Sequence, residues 1–550
     1  MALLVDLFGY LSILLHGLSI VAQSLALGGV AFIVLLARPL RARLGVEGSA
    51  VLEASTLIAA WGAAGLVLAE AATIALQSAV LTATIDIPLT EALGAGFAIA
   101  GMTKIVAASL TALLLFLRRG RAPSLPLVAL AAITLAAATL TTHAEGRMDG
   151  RVPLLILEGL HQAGAAIWIG GLPCFLLALR RVRDPHGLSL VASRYSRMSM
   201  AGVASILASG LGMSLAYIGD VAGFYGTAYG VMVSAKIAMF LMLLGLGAMN
   251  FRLVERLRRD PSTSVTQLCR FAEVELGIGV TIFFAAASLT SAPPAIDLQQ
   301  DRVSFQEIVA RNAPVWPRLA SPDHDALALP ALQRGLDEAA ARTHSEAAEA
   351  FTPGSGQLPP RNAADIAWSE YNHHWAGLFV IAIALLAMLN QAGVRWARHW
   401  PLVFLGLAAF LFVRSDPETW PLGHIGLIES LRDVEVVQHR VFVLLVVGFA
   451  FFEWRVRSSF RPHPRAALVF PLICAIGGAL LLTHSHAIAN VKEALLIEIT
   501  HTPLALAAIL AGWSRWLELR LDPPVSRIAG WVWPVCLLLV GLILLSYREA

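Results

Sequence analysis

Charge is scarce in this chain: 14% of its 550 residues are Asp, Glu, Lys or Arg, against 57% hydrophobic, and long runs carry no charge. That excludes an ordinary soluble domain and points to a polytopic membrane protein. Cysteine is also sparse. Cys174, Cys269, Cys474 and Cys536 stand singly in apolar segments without a CxxC spacing, so neither a disulfide framework nor a thiolate metal site is expected, and they read as small core residues. No acidic or basic tail marks a nucleic-acid partner. A phosphate-cradling glycine loop, a hydrolytic triad spacing and a long cytoplasmic domain are all missing, so ATP coupling within the chain is not expected and an enzyme is not the expected class. The N-terminus lacks the basic and small-residue elements of a signal peptide, and "RPLRAR" follows its first apolar run; that run reads as a retained span.

What is present is hydrophobicity in span-sized pieces. Windows of roughly 19 residues give apolar segments at 8–37, 52–77, 94–117, 124–142, 153–179, 199–219, 230–251 and 271–292, then 373–394, 400–414, 437–454, 467–484, 492–517 and 528–547. The expected fold is therefore an all-α membrane bundle of about fourteen helices, since roughly 20 apolar residues cross the hydrocarbon. The 400–414 segment is short for that task. Three parts are expected: membrane residues 1–292, a polar insert 293–368 and membrane residues 369–550. Arginine clusters such as "RPLRAR" (38–43), "RRGR" (118–121), "RRVR" (180–183) and "RVRSSFRPHPR" (455–465) fall on alternate loops. By the positive-inside rule these loops are cytoplasmic, which puts both termini and the insert outside the cell membrane. Ten tryptophans crowd span ends, Trp400 and Trp533 among them, and read as interfacial belts. His439-Arg440 reads as a weak metal candidate or a headgroup anchor.

With this topology His16, His143, His161, His373, His374, His424, His439, His484, His486 and His501 share the outer side. A repeat sharpens the pattern. "LTTHAEG" followed by "LLILEGLHQAGAAIWIGG" (154–171) resembles "LLTHSHA" followed by "ALLIEITHTPLALAAILAG" (494–512), and "LHGLSIVAQ" resembles "HHWAGLFVI", with His16 set against His374. Spans 1, 4 and 5 then match spans 9, 12 and 13. The offset of eight is even, so the expected repeat is of the parallel kind.

In each copy Glu-x-x-His places a carboxylate and an imidazole on one helical face, a spacing that supplies metal ligands in helical carboxylate bundles. The candidate ligand sets are His16, His143, Glu158 and His161 in the first copy, and His374, His484 or His486, Glu498 and His501 in the second. Imidazole with carboxylate suits divalent copper, zinc or iron, whereas cuprous copper prefers sulfur. A buried polar pair that merely fixes helix packing is the competing reading, because intramembrane ionisable residues need partners in any case. Lys104 and Lys236 also fall within spans, each able to pair with a carboxylate, and carry no assigned role.

The segment "RYSRMSMAGVASILASGLGMSLAYIGDVAGFYGTAYGVMVSAKIAMFLMLLGLGAMN" (194–250) resembles the copper resistance protein D (CopD) family of bacterial inner-membrane proteins. The likeness is carried by Arg-Tyr-Ser, by Ser-Gly in the first helix, by "GTAYG" (226–230), by Lys236 and by Asn250, and "LHQAGAAIWIGGLPCFLLALRR" resembles the family's Leu-His…Trp-x-Gly-Gly helix. The resemblance implies copper handling: moving copper across the inner membrane, or receiving it, for resistance or cuproenzyme loading. Copper ion and lipid bilayer are the expected partners, and a separate reading is a scaffold that recruits a periplasmic copper chaperone through 293–368. A different class stays open beside it, a b-type haem cytochrome with two histidines from separate helices on the iron.

Overall fold

The computed structural model describes residues 8–549 apart from 85–86, 301, 314, 324–362, 418, 424, 432–433, 460–463 and 484–490. His424, His484, His486 and most of the polar insert lie outside the described residues. Each of the fourteen expected spans falls on a helix: α1 Phe8–Phe32, α2 Arg38–Thr84, α3 Gly96–Arg118, α4 Ser124–Thr139, α5 Arg151–Ala165, α6 Pro185–Tyr217, α7 Ala228–Arg259, α8 Thr266–Leu289, α9 Ala363–Gln391, α10 Val403–Arg414, α11 Val434–Ser458, α12 Val469–Thr483, α13 Val491–Arg520 and α14 Val525–Leu545. Among the described residues ten helical stretches are long and apolar enough to cross a membrane, and the first, Phe8–Thr84, holds two expected spans. The protein is thus an all-α, multi-pass membrane protein.

Local chemistry explains the breaks. The chain leaves α1 through a π turn, Ile33–Ala37, and reverses at Gly45, whose φ of +56° a residue with a Cβ rarely adopts. A second π turn, Ala166–Gly170, joins α5 to Leu172–Arg181. Thr227 of "GTAYG" caps α7, its Oγ1 accepting from the Gly230 N–H at 3.0 Å and donating to the Gly223 carbonyl. The segment 400–414 was expected to be short. It is lengthened by a 3₁₀ coil, Arg395–Leu402, and at 2.0 Å per 3₁₀ residue and 1.5 Å per α residue the whole reaches about 34 Å, enough to cross.

The chain divides into two compact units, Met1–Val303 with Ala479–Lys492, and Ser304–Gly478 with Glu493–Ala550. In the first unit α1 is central, packing on α2, α8 and the π turn of α5. The α1–α2–α3 contact is built around Leu66 from Ala22, Ala26, Ala63, Ala108 and Ala112, and the alanines let backbones approach where lipid offers no competing hydrophobic drive. Large side chains such as Leu57, Trp61 and Leu68 point outward. In the second unit α9 packs on α14 and α10, over a core of Ile383, Ala387, Trp400, Phe470, Ala511, Trp533 and Cys536.

Two of the tryptophans expected at the interface therefore sit inside. Trp400 and Trp533 are 1% and 0% exposed, because the Arg457 guanidinium lies over both rings, 4.6 and 5.7 Å from their centroids, and pairs with Glu453 at 2.6 Å. Aromatic faces and a carboxylate make that buried cation tolerable. Arg440, read as a headgroup anchor, also turns inward: it donates to the carbonyls of Phe412 and Trp420 and to Thr419 Oγ1, fastening the loop after α10.

Candidate functional site

In the first unit the arginine ends of the spans meet one another. Arg38 donates to Ser124 Oγ and the Ala122 carbonyl, Arg181 to the Ala50 carbonyl, and Arg180 pairs with Glu273. The candidate ligands lie toward the opposite end. Glu158 is about 10 Å along α5 from its first residue, and Glu498 is equally far along α13.

Glu158 accepts from Gln162 Nε2 at 3.1 Å, and Gln162 Oε1 accepts from Gln23 of α1 at 2.9 Å. His161, one turn from Glu158, has Nδ1 at 3.2 Å from Ser209 Oγ of α6. α6 thus packs against the face of α5 that carries His161. His143 stands farther out, Nε2 3.4 Å from the Leu289 carbonyl and its ring 6.3 and 6.1 Å from those of Tyr217 and Tyr229. It opens into a cleft of about 360 Å³ that includes Thr141, Thr142, Thr290 and the Arg147–Asp297 ion pair. Beyond that cleft the chain after α8 is tied back by Arg302, which grips Asp220 at 2.7 Å and holds its carboxyl below the usual carboxylate range. His16 is separate again, one turn before Ser19 on α1. Among the described residues no three His, Cys, Asp or Glu side chains converge closely enough to hold a metal ion together.

In the second unit adjacent histidines have different surroundings. His374 is 1% exposed; its Nδ1 accepts from the Arg318 backbone N–H at 2.7 Å and its Nε2 faces the Tyr547 carbonyl at 2.8 Å. Both nitrogens are taken by backbone, which fixes the neutral tautomer and leaves no lone pair for a metal in this arrangement. His374→Ala is therefore expected to destabilise the protein by roughly 1–3 kcal/mol, the cost of orphaned buried backbone groups, while bound metal per chain stays unchanged. Thermal unfolding with elemental analysis reads both, and a lost metal ion would refute the structural role.

His373, the next residue back on α9, has other neighbours. Its Nδ1 is 2.8 Å from the Ser369 carbonyl, its ring stacks on Tyr547 at 3.9 Å, and the His501 ring lies 6.3 Å away, nearly perpendicular. Glu549 accepts from Tyr547 Oη at 2.9 Å and from Ser369 Oγ. Glu498, three residues before His501, is 9% exposed. His439 pairs with Asp416, Nδ1 to Oδ1 2.6 Å.

Sequence reasoning passed over Glu275, 3% exposed in α8. Its carboxylate accepts from Asn250 Nδ2 at 2.7 Å and Trp168 Nε1 at 3.3 Å, and Tyr195 Oη donates to the Trp168 carbonyl at 2.5 Å. Tyr195, Asn250 and Trp168 all belong to the motifs singled out in the sequence; a lone carboxylate in an apolar helix was the available signal for the residue that gathers them. Lys104 does pair with a carboxylate, Glu70, at 2.6 Å.

Comparison with known proteins bears on residues 189–289, which match the family of copper resistance protein D. Those residues are the body of α6, α7 and α8, the helices that carry Ser209, Tyr217, Tyr229, Lys236 and Glu275. The chain is also 30% identical over 142 residues to the copper transport protein CutJ of Bacillus subtilis (strain 168), a stretch covering 25% of each chain. It thus spans about a quarter of the length of that curated relative. No solved structure matches the chain. Residues 189–289, which carry Asn250 and Glu275 of the buried contact with Trp168, are thus similar to the copper resistance protein D family.

Proposed function

We propose that the protein handles copper: it binds the ion at Glu158 and His161, on the side of the inner membrane away from its arginine clusters, and moves it across or accepts it for resistance or cuproenzyme loading. One observation carries this reading. The segment matched by the copper family supplies Ser209 against His161 of the Glu-x-x-His pair, so a helix of the matched segment lines the candidate site. Copper is cargo here, and a mixed imidazole and carboxylate set suits its divalent state. Glu498 and His501, with His373 beside them, are the corresponding elements of the second unit.

The same reading places both termini and the insert on the periplasmic side. It keeps 1–292 as the CopD-like membrane part, 293–368 as an insert on which a periplasmic chaperone docks, and 369–550 as the C-terminal membrane part. No catalysed reaction is assigned.

Purified protein dialysed against Cu(II) tests the proposal. Glu158→Gln/His161→Ala is expected to lose one copper per chain without a shift in melting, and a full copper count in the folded double variant would sink the site. The haem alternative has one point in its favour, two imidazoles from separate helices 6.3 Å apart, His373 and His501. Tyr547, stacked on one ring and edge-on to the other at 5.9 Å, weighs against a porphyrin between them. An absorption spectrum without a Soret band after haem-sufficient expression is the expected result.

A further inference from the structure

Along α1 the residues His16, Ser19 and Gln23 follow at i, i+3 and i+7, one face of the helix. Two of them anchor separate hydrogen-bond chains. Gln23 leads through Gln162 to Glu158. Ser19 Oγ donates to Glu70 Oε1 on α2, and Lys104 Nζ on α3 meets the same oxygen at 2.6 Å. The Lys104 and Glu70 side chains are 4% and 5% exposed, and His16 lies one turn before Ser19 on the same face of α1.

Stability is a poor explanation for this cluster, because apolar residues of similar volume commonly replace a buried ion pair without loss. Ionisable side chains at membrane depth more often mark ion or substrate paths. The chemistry of the cluster is also one-sided. α1 and α2 bring a carboxylate, a hydroxyl and an imidazole, all donors of lone pairs, and α3 brings a cation to them. A lysine head on a four-carbon stem is a compact point charge that can swing away.

We propose that Glu70, Ser19 and His16 form a second cation station in the first unit, which Lys104 fills as a tethered stand-in for the transported ion. This rests on the reading that the protein handles a metal cation, and it adds a site apart from Glu158 and His161. An ion that leaves the outer pair enters the station by displacing the Lys104 ammonium, and no bond other than metal coordination is made or broken. Because Ser19 and Gln23 are one turn apart on the same helix, α1 ties the station to the outer carboxylate.

Counting Cu(II) per chain after equilibrium dialysis of the purified full-length protein tests the proposal. Lys104→Gln, which removes the charge but keeps a donor toward Glu70, is expected to hold one Cu(II) more than wild type. Adding Glu70→Gln to that variant is expected to return the count to the wild-type value, as is adding His16→Ala. Lys104→His supplies a fourth lone-pair donor and is expected to gain the same ion should the glutamine variant fail to fold. A wild-type count in either variant, eluting and melting as a folded protein, overturns the proposal. Glu158→Gln/His161→Ala in the Lys104→Gln background separates the two readings. Retention of the gained ion with loss of the outer one supports both sites. A wild type without copper whose Lys104→Gln variant holds one sinks the outer site and leaves the inner station standing.

Discussion

Glu70→Leu is expected to destabilise the protein by about 3–5 kcal/mol, whereas Glu70→Leu/Lys104→Met should come within about 1 kcal/mol of wild type. The single change leaves the Lys104 ammonium, 4% exposed, without the carboxylate it pairs with. Ser19 Oγ then loses its acceptor as well. The double change removes both charges together, and methionine fills the volume that the lysine stem leaves behind. Thermal unfolding in detergent at matched protein concentration measures both. A single variant as stable as wild type would mean that the pair is not buried in the folded protein, and a double variant as weak as the single one would mean that packing rather than charge holds these helices.

Gly170→Val is expected to cost about 3 kcal/mol or more, at the upper end of overpacking penalties. A Cβ at this position would lie 1.9 Å from the Ser24 carbonyl oxygen, and the facing glycine, Gly28, has its own Cβ position 2.2 Å from the Ala166 carbonyl oxygen. Both obstacles are backbone, so no side chain can yield; α1 and the π turn of α5 must move apart. The Gln23–Gln162 bond and the seat of Trp168 against Glu275 depend on that approach, so copper binding at Glu158 and His161 should weaken together with stability. Gly245→Ala is the control. Nothing lies within 4 Å of its Cβ position on α7, and alanine in a helix interior gains about 0.5–1 kcal/mol over glycine. Equal melting of Gly170→Val and wild type would show that the two helices do not cross at these glycines.

The candidate site was legible in part, and His373 and His374 show why only in part. Successive residues on a helix point about 100° apart, so neighbours with the same side chain can have unrelated roles. Here one imidazole is pinned between two backbone groups and the other stands beside His501 and Tyr547. Nothing local in "YNHHW" distinguishes them. Glu158 and His161 were easier, because their spacing is a property of one helix, and Glu-x-x-His shares a face wherever α5 lies. Glu275 had no such internal signal, since Asn250 and Trp168 reach it from other helices.

The sequence by itself determined the class and the span pattern, with all fourteen apolar windows on helices, because the hydrocarbon layer demands length and apolarity and both are read along one dimension. It also placed the acid and the imidazole of each Glu-x-x-His on a common face. Only the tertiary structure decided which polar side chains meet: Lys104 with Glu70, Arg457 over Trp400 and Trp533, and Trp168 and Asn250 on Glu275. The physical reason is that a buried charge is tolerated wherever a partner reaches it, and the partner is set by helix rotation and crossing, which no single helix encodes.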